Sequence, residues 1–174
     1  MDFFMKTNWK GIYLHGYQGY VTQEKKSFLD QIGEIYAPNI DYDQNPTIIN
    51  DLFEQFKDQD LDFVAGTSLG GILVYHLAIL LDVPCFLLNP AVTALDQIKQ
   101  FIPSQAFEKE YDAKIMVITG MKDEIVSPKQ QISFFEKKYS NSSQLFIIQD
   151  VNLGHFVPYD TFEDSFETFL KFIQ

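Results

Sequence analysis

Six short apolar runs recur along this chain with longer amphipathic stretches between them: GIYLH (11–15), EIYAP (34–38), DFVAG (62–66), PCFLLN (84–89), KIMVIT (114–119) and QLFIIQ (144–149). Such runs have strand length, and the helix-period patterns between them supply the crossovers that parallel strands need. A sheet wound this way is covered on both faces, so its strands read as unbroken apolar runs rather than alternating ones. The pattern predicts an α/β fold: a compact, mostly parallel sheet of about six strands, helices on both faces and little or no cap. The helix QEKKSFLDQIG is expected to end at Gly33 as a C-cap, and Pro46 to open the next helix through TIINDLFEQFK. LGGILVYHLAILL is apolar nearly all round, as a helix buried on most sides must be. In the last segment Phe162, Phe166, Phe169 and Ile173 share one helical face and predict a core stripe.

Composition narrows the setting. With 174 residues, 46% of them hydrophobic and 16% aromatic, the chain fits one domain, residues 1–174, with a substantial core. A formal net charge of -11 argues against a nucleic-acid partner, because phosphate contacts need clustered Lys and Arg. The single cysteine, Cys85, excludes an internal disulfide framework, and its apolar run VPCFLLN suits a small buried hydrophobe. The stretch MDFFMKTNWKG lacks the apolar core and cleavage site of a secretion signal, and no run approaches the roughly 20 apolar residues of a membrane span. A soluble, cytoplasmic protein with no membrane partner is expected.

The chemistry concentrates around GTSLGG. Ser68 stands two residues from Gly66 and from Gly70, after a strand run and before a helix run, where side chains at the glycine positions would collide if the chain turned abruptly. A serine hydroxyl needs a base to take its proton and a third group to orient that base. Of the three histidines, His155 in NLGHFVPYD follows the last strand run and should reach the carboxyl edge of the sheet, where Ser68 also emerges. His76 lies within the buried helix and reads as a packed, hydrogen-bonded side chain, and His15 reads as structural. Asp123 in ITGMKDEIVSP follows the fifth run by a short turn and is the favoured orienting acid, with Glu124 as alternative and Asp150 a distant third. Backbone amides of Leu69, after the elbow, and Tyr17, in LHGYQGY after the first run, are the expected oxyanion donors.

The only sizeable stretch between the fourth and fifth runs, Pro90 to Ala113, carries Phe101, Ile102, Phe107 and Tyr111. These either wall an acyl pocket or pack a connecting helix. DYDQNP begins like a calcium loop with Asp41, Asp43 and Asn45, but Pro46 stands where glycine is needed and Leu52 where the bidentate glutamate belongs. No metal site and no cofactor is expected.

HG after the first run, GTSLGG, GMKDEIVSP and the late GH resemble the α/β-hydrolase superfamily in residue type and chain order, over nearly the whole length. YLHGY, GTSLGG, LLNPAV and GMKDEIV look like the small YqiA-type esterases. The resemblance implies an esterase with Ser68, Asp123 and His155 as triad, acting on small-molecule acyl esters or thioesters. A small cap predicts short to medium acyl chains. The competing expectation is a non-catalytic scaffold of the same fold that binds a small ligand or a protein partner.

Overall fold

The computed structural model describes residues 8–139 and 142–174. The first seven residues of the amino-terminal stretch discussed above lie outside them. Each apolar run becomes a strand: β1 (Trp9–Leu14), β2 (Gly33–Tyr36), β3 (Phe63–Thr67), β4 (Cys85–Leu88), β5 (Ile115–Gly120) and β6 (Leu145–Asp150). They form one sheet in the order β2-β1-β3-β4-β5-β6, with every neighbouring pair parallel. The helices are α1 (Gln23–Ile32), α2 (Ile48–Phe56), α3 (Leu69–Leu81), α4 (Leu95–Ile98), α5 (Gln105–Glu108), α6 (Pro128–Tyr139) and α7 (Tyr159–Ile173).

Successive strand residues point to opposite faces, and the two apolar clusters follow that alternation. Ile12, Leu14, Val64, Leu87 and Val117 face the cluster built with α2, α3 and α6. Tyr13, Phe63, Ala65, Phe86 and Met116 face the cluster built with α1 and α7. The stripe of α7 packs here: Phe162, Phe166 and Phe169 are fully buried, with Ile173 partly so. Burial of each such ring is worth about 1.5–3 kcal/mol. α3 is buried from Gly70 to Leu80, as its all-round apolarity demands. Cys85 sits in this core, where burial pushes its thiol up to about 12 and keeps it an inert hydrophobe.

One expected helix boundary holds and one is corrected. Gly33 caps α1 as expected, in an extended conformation, because the chain passes straight into β2. A Cβ there would lie 2.0 Å from the Trp9 carbonyl oxygen, so close strand approach is what requires glycine. Pro46 does not open α2 but precedes its N-cap, Thr47.

The chain leaves β1 for β2 on one side and then crosses to β3 on the other side of β1. At such a switch point the loops after neighbouring strands diverge and open a crevice at their carboxyl ends. The loops after β1 and β3 carry Tyr17 and Ser68.

Candidate active site

Ser68 sits between β3 and α3 at φ 53°, ψ -118°, a conformation that non-glycine residues adopt only under constraint. The constraint is visible on both sides of it. Its N–H donates to the Leu88 carbonyl (2.9 Å), and its carbonyl accepts from Ala91 (2.9 Å) and Ile72 (3.2 Å). The turn is so tight that a Cβ at Gly70 would stand 2.3 Å from the Leu14 carbonyl oxygen, and one at Gly66 2.5 Å from that of Gly70. The GxSxG spacing is therefore a packing requirement of the elbow itself.

His155 arrives on the loop after β6. Its Nε2 lies 3.0 Å from Ser68 Oγ and its Nδ1 2.9 Å from Asp123 Oδ2. An ionised carboxylate only accepts, so Nδ1 carries the hydrogen and Nε2 is left to accept from the serine hydroxyl. The imidazole is 11% exposed and the Asp123 side chain fully enclosed. Asp123 is held at every lone pair: Oδ1 accepts from the amides of Ile125 (2.9 Å) and Val126 (2.8 Å), and Oδ2 from Gln131 Nε2 (3.1 Å) as well as from His155. Glu124 is exposed and forms no hydrogen bond or ion pair with His155, whose Nδ1 is on Asp123. Asp150 shapes the histidine loop instead, its Oδ1 accepting from Asn152 and Leu153.

Two side chains that sequence reasoning missed complete the assembly. Asn89, fully buried at φ 44°, donates through Nδ2 to the carbonyls of Gly154 (2.8 Å) and His155 (3.0 Å). Its Oδ1 accepts from Gly120 N–H (2.7 Å), so one amide ties the end of β4 to the end of β5 and to the histidine loop. Gln131, fully buried on α6, holds Asp123 and also donates to Val126 O (3.0 Å). An asparagine ending an apolar run before Pro90, and a glutamine on the buried side of α6, were the available signals.

The loop after β1 presses against the elbow: a Cβ at Gly16 would lie 3.2 Å from that of Ser68. His15 braces this loop, donating from Nδ1 to Gly16 O (2.7 Å) and accepting at Nε2 from Ile40 N–H (2.8 Å). Tyr42 adds a bond to His15 O (2.6 Å), and Gly19 N–H closes the turn on Gly16 O (3.0 Å). The amides of Tyr17 and Leu69 have no protein acceptor among the described residues, and both residues border the cleft beside Ser68. His76 is remote from this centre: Nδ1 donates to Ile72 O (2.8 Å), and burial pulls its pKa down to about 4.

The cleft at Ser68 measures about 630 Å³. Of the four side chains singled out in the stretch after β4, only Phe101 lines it. Ile102 is turned into the core, Phe107 packs over the His76 ring at 4.9 Å between centroids, and Tyr111 is buried with its hydroxyl on Val83 O (2.6 Å). The stretch folds as short helical turns, so its side chains point several ways and cannot all wall one pocket. The remaining wall comes from Ile98, Leu73, Ile125 and Val126, and from Pro46 and Ile48 before and within α2. DYDQNP thus contributes to the cleft: Asp43 and Asn45 line it, and Asp41 holds the turn through bonds to the amides of Asp43 and Gln44. A cavity of about 760 Å³ at the amino edge of the sheet, beside Lys10 and Glu34, is lined by no serine, cysteine or histidine. Among the described residues no group of three His, Cys, Asp or Glu could hold a metal ion, and no helix is long and apolar enough to cross a membrane.

A parallel sheet with a strained serine elbow after β3, an acid after β5 and a histidine after β6 has the α/β-hydrolase fold. Residues 10–114 match UPF0227, described as an uncharacterised protein family, and the chain belongs to it. No curated protein matches the sequence. Solved structures similar in fold include acyl-protein thioesterase 2 of Zea mays (TM-score 0.62, 14% identity, 97% of this chain and 96% of that one). A monoacylglycerol lipase of Paleococcus ferrophilus gives TM-score 0.65 at 13% identity, covering 96% of both chains. Acetyl xylan esterase 1 of a Thermoanaerobacterium species gives 0.63 at 12%, covering 97% of this chain and 76% of that one. The α/β-hydrolase fold read from the sequence is borne out.

Proposed function

We propose that the protein is a serine hydrolase of uncharged acyl esters, with Ser68 as nucleophile, His155 as general base and acid, and Asp123 orienting His155. One observation carries this reading: an unbroken hydrogen-bonded path from Ser68 Oγ through the imidazole to an enclosed carboxylate. Ser68 Oγ bonds to the ester carbonyl carbon while its proton passes to Nε2. The amides of Tyr17 and Leu69 receive the negative oxygen, each such donor being worth about 3 kcal/mol to the transition state. Collapse breaks the bond to the alcohol oxygen, which takes the proton from Nε2. Water then repeats the sequence on acyl-Ser68 and releases the acid. Asp123 remains ionised throughout and stabilises the imidazolium.

The cleft's volume and apolar walls suit a short to medium acyl chain. Asp43 is the one charged side chain among its lining residues, which sets the cleft against anionic acyl groups. The likeness in fold to a thioesterase, a lipase and an esterase supports acyl transfer as the reaction class. The test is a panel of neutral aryl esters and acyl thioesters of graded chain length, run on the parent and on Ser68→Ala. Rates should fall beyond medium chain length and drop by at least about 10⁴-fold in the variant. Equal rates in the two proteins would overturn the reading.

A further inference from the structure

The proposed mechanism leaves one conspicuous side chain beside the reacting atoms unused. Phe156, the residue after His155, is 83% exposed, more than any other large hydrophobic side chain described. Its ring stands edge-on to the imidazole, with centroids 5.8 Å apart and planes at 81°. The ring is not free to wander with its loop, because Asn89 holds the carbonyls of both Gly154 and His155. Phe156 does not line the acyl cleft, so it does not serve the acyl half of the substrate.

Ester cleavage divides the substrate in two, and the second half must leave past the imidazole. Nε2 delivers the proton to the departing oxygen, so that oxygen lies within hydrogen-bond reach of His155 in the transition state. Whatever the alcohol carries then extends beside the neighbouring ring. A phenyl face offers apolar contact and no hydrogen bond, and it gains most by covering surface that water now touches. We propose, on the strength of the hydrolase reading above, that Phe156 forms the leaving-group subsite of this centre and takes the apolar ring or branched alkyl group of an uncharged alcohol. The substrate class is thereby narrowed to esters that are apolar on both sides of the carbonyl.

Two butyrate esters test this, one of ethanol and one of cyclohexylmethanol, whose alcohols differ in size far more than in acidity. The quantity read is the ratio of kcat/KM for the bulky ester to that for the ethyl ester, in parent, Phe156→Ala and Phe156→Leu. The ratio should fall about tenfold in Phe156→Ala, equivalent to about 1.4 kcal/mol. Phe156→Leu should restore most of it. Because the side chain is so exposed, neither variant endangers folding. An unchanged ratio in Phe156→Ala, with both esters still cleaved, overturns the subsite and leaves the hydrolase reading standing. Absence of Ser68-dependent turnover of either ester by the parent overturns both.

Discussion

The elbow at Ser68 and the stretch from Pro90 to Ala113 border the same cleft, but they are held in place by different things. The elbow is fixed by backbone: its glycines leave no room for a methyl group, and the serine's own N–H and carbonyl are bonded to Leu88, Ala91 and Ile72. The other stretch is a chain of short helical turns placed by its side chains, with Ile102 and Tyr111 in the core, Phe107 on His76, and Phe101 facing the cleft together with Ile98. A cleft built this way keeps its serine rigid and lets its wall vary at little structural cost.

The largest effect that would break this contrast is at Gly70. Gly70→Ala forces a methyl group to 2.3 Å from the Leu14 carbonyl oxygen, and since backbone cannot yield cheaply, it should lower stability by about 3 kcal/mol. Denaturant titration reads this directly, and a loss under about 1 kcal/mol would show that the elbow is not rigid. Next comes Asn89, the side chain that joins the two kinds of constraint. Asn89→Ala orphans two part-buried carbonyls and one buried N–H, which should cost about 2–3 kcal/mol of stability. The account further expects kcat to fall about 100-fold with KM nearly unchanged, because His155 loses its placement rather than the substrate its pocket. An equal rise in KM would instead point to a collapsed cleft.

The smallest effect sharpens the comparison within the stretch itself. Phe101→Ala should raise KM for butyryl over acetyl esters by about threefold to tenfold, with little change in melting temperature. Phe107→Ala should leave acyl preference alone and, by wetting His76, lift its imidazole pKa from about 4 toward 6.5, which proton NMR can follow. If both variants altered acyl preference alike, Phe107 would belong to the wall after all.

The same contrast explains what could be read from the sequence. The six strands were legible because a doubly covered sheet demands unbroken apolar runs, and the elbow because a tight turn demands glycine at set distances from Ser68. The meeting of Asp123 with His155 was legible in part, since both follow strands of a parallel sheet and so reach one edge. The pocket wall was not. Whether Phe101 or Phe107 faces the cleft depends on the rotation of turns three or four residues long, which no periodicity records. The role of DYDQNP escaped for a related reason, because dismissing a loop as a metal site says nothing of which surface it lies against. Asn89 was hidden because its partners are main-chain groups distant in sequence, and Gln131 because its own, the Asp123 carboxylate and the Val126 carbonyl, lie in the loop before α6, where no helical spacing marks them.

The most direct test of the central claim is covalent. A fluorophosphonate should react with the native protein at Ser68 alone, Oγ displacing fluoride as the proton passes to His155, and peptide mass spectrometry should find one stoichiometric adduct that disappears in His155→Ala. Labelling spread over other serines, or undiminished when His155 is removed, would contradict the account.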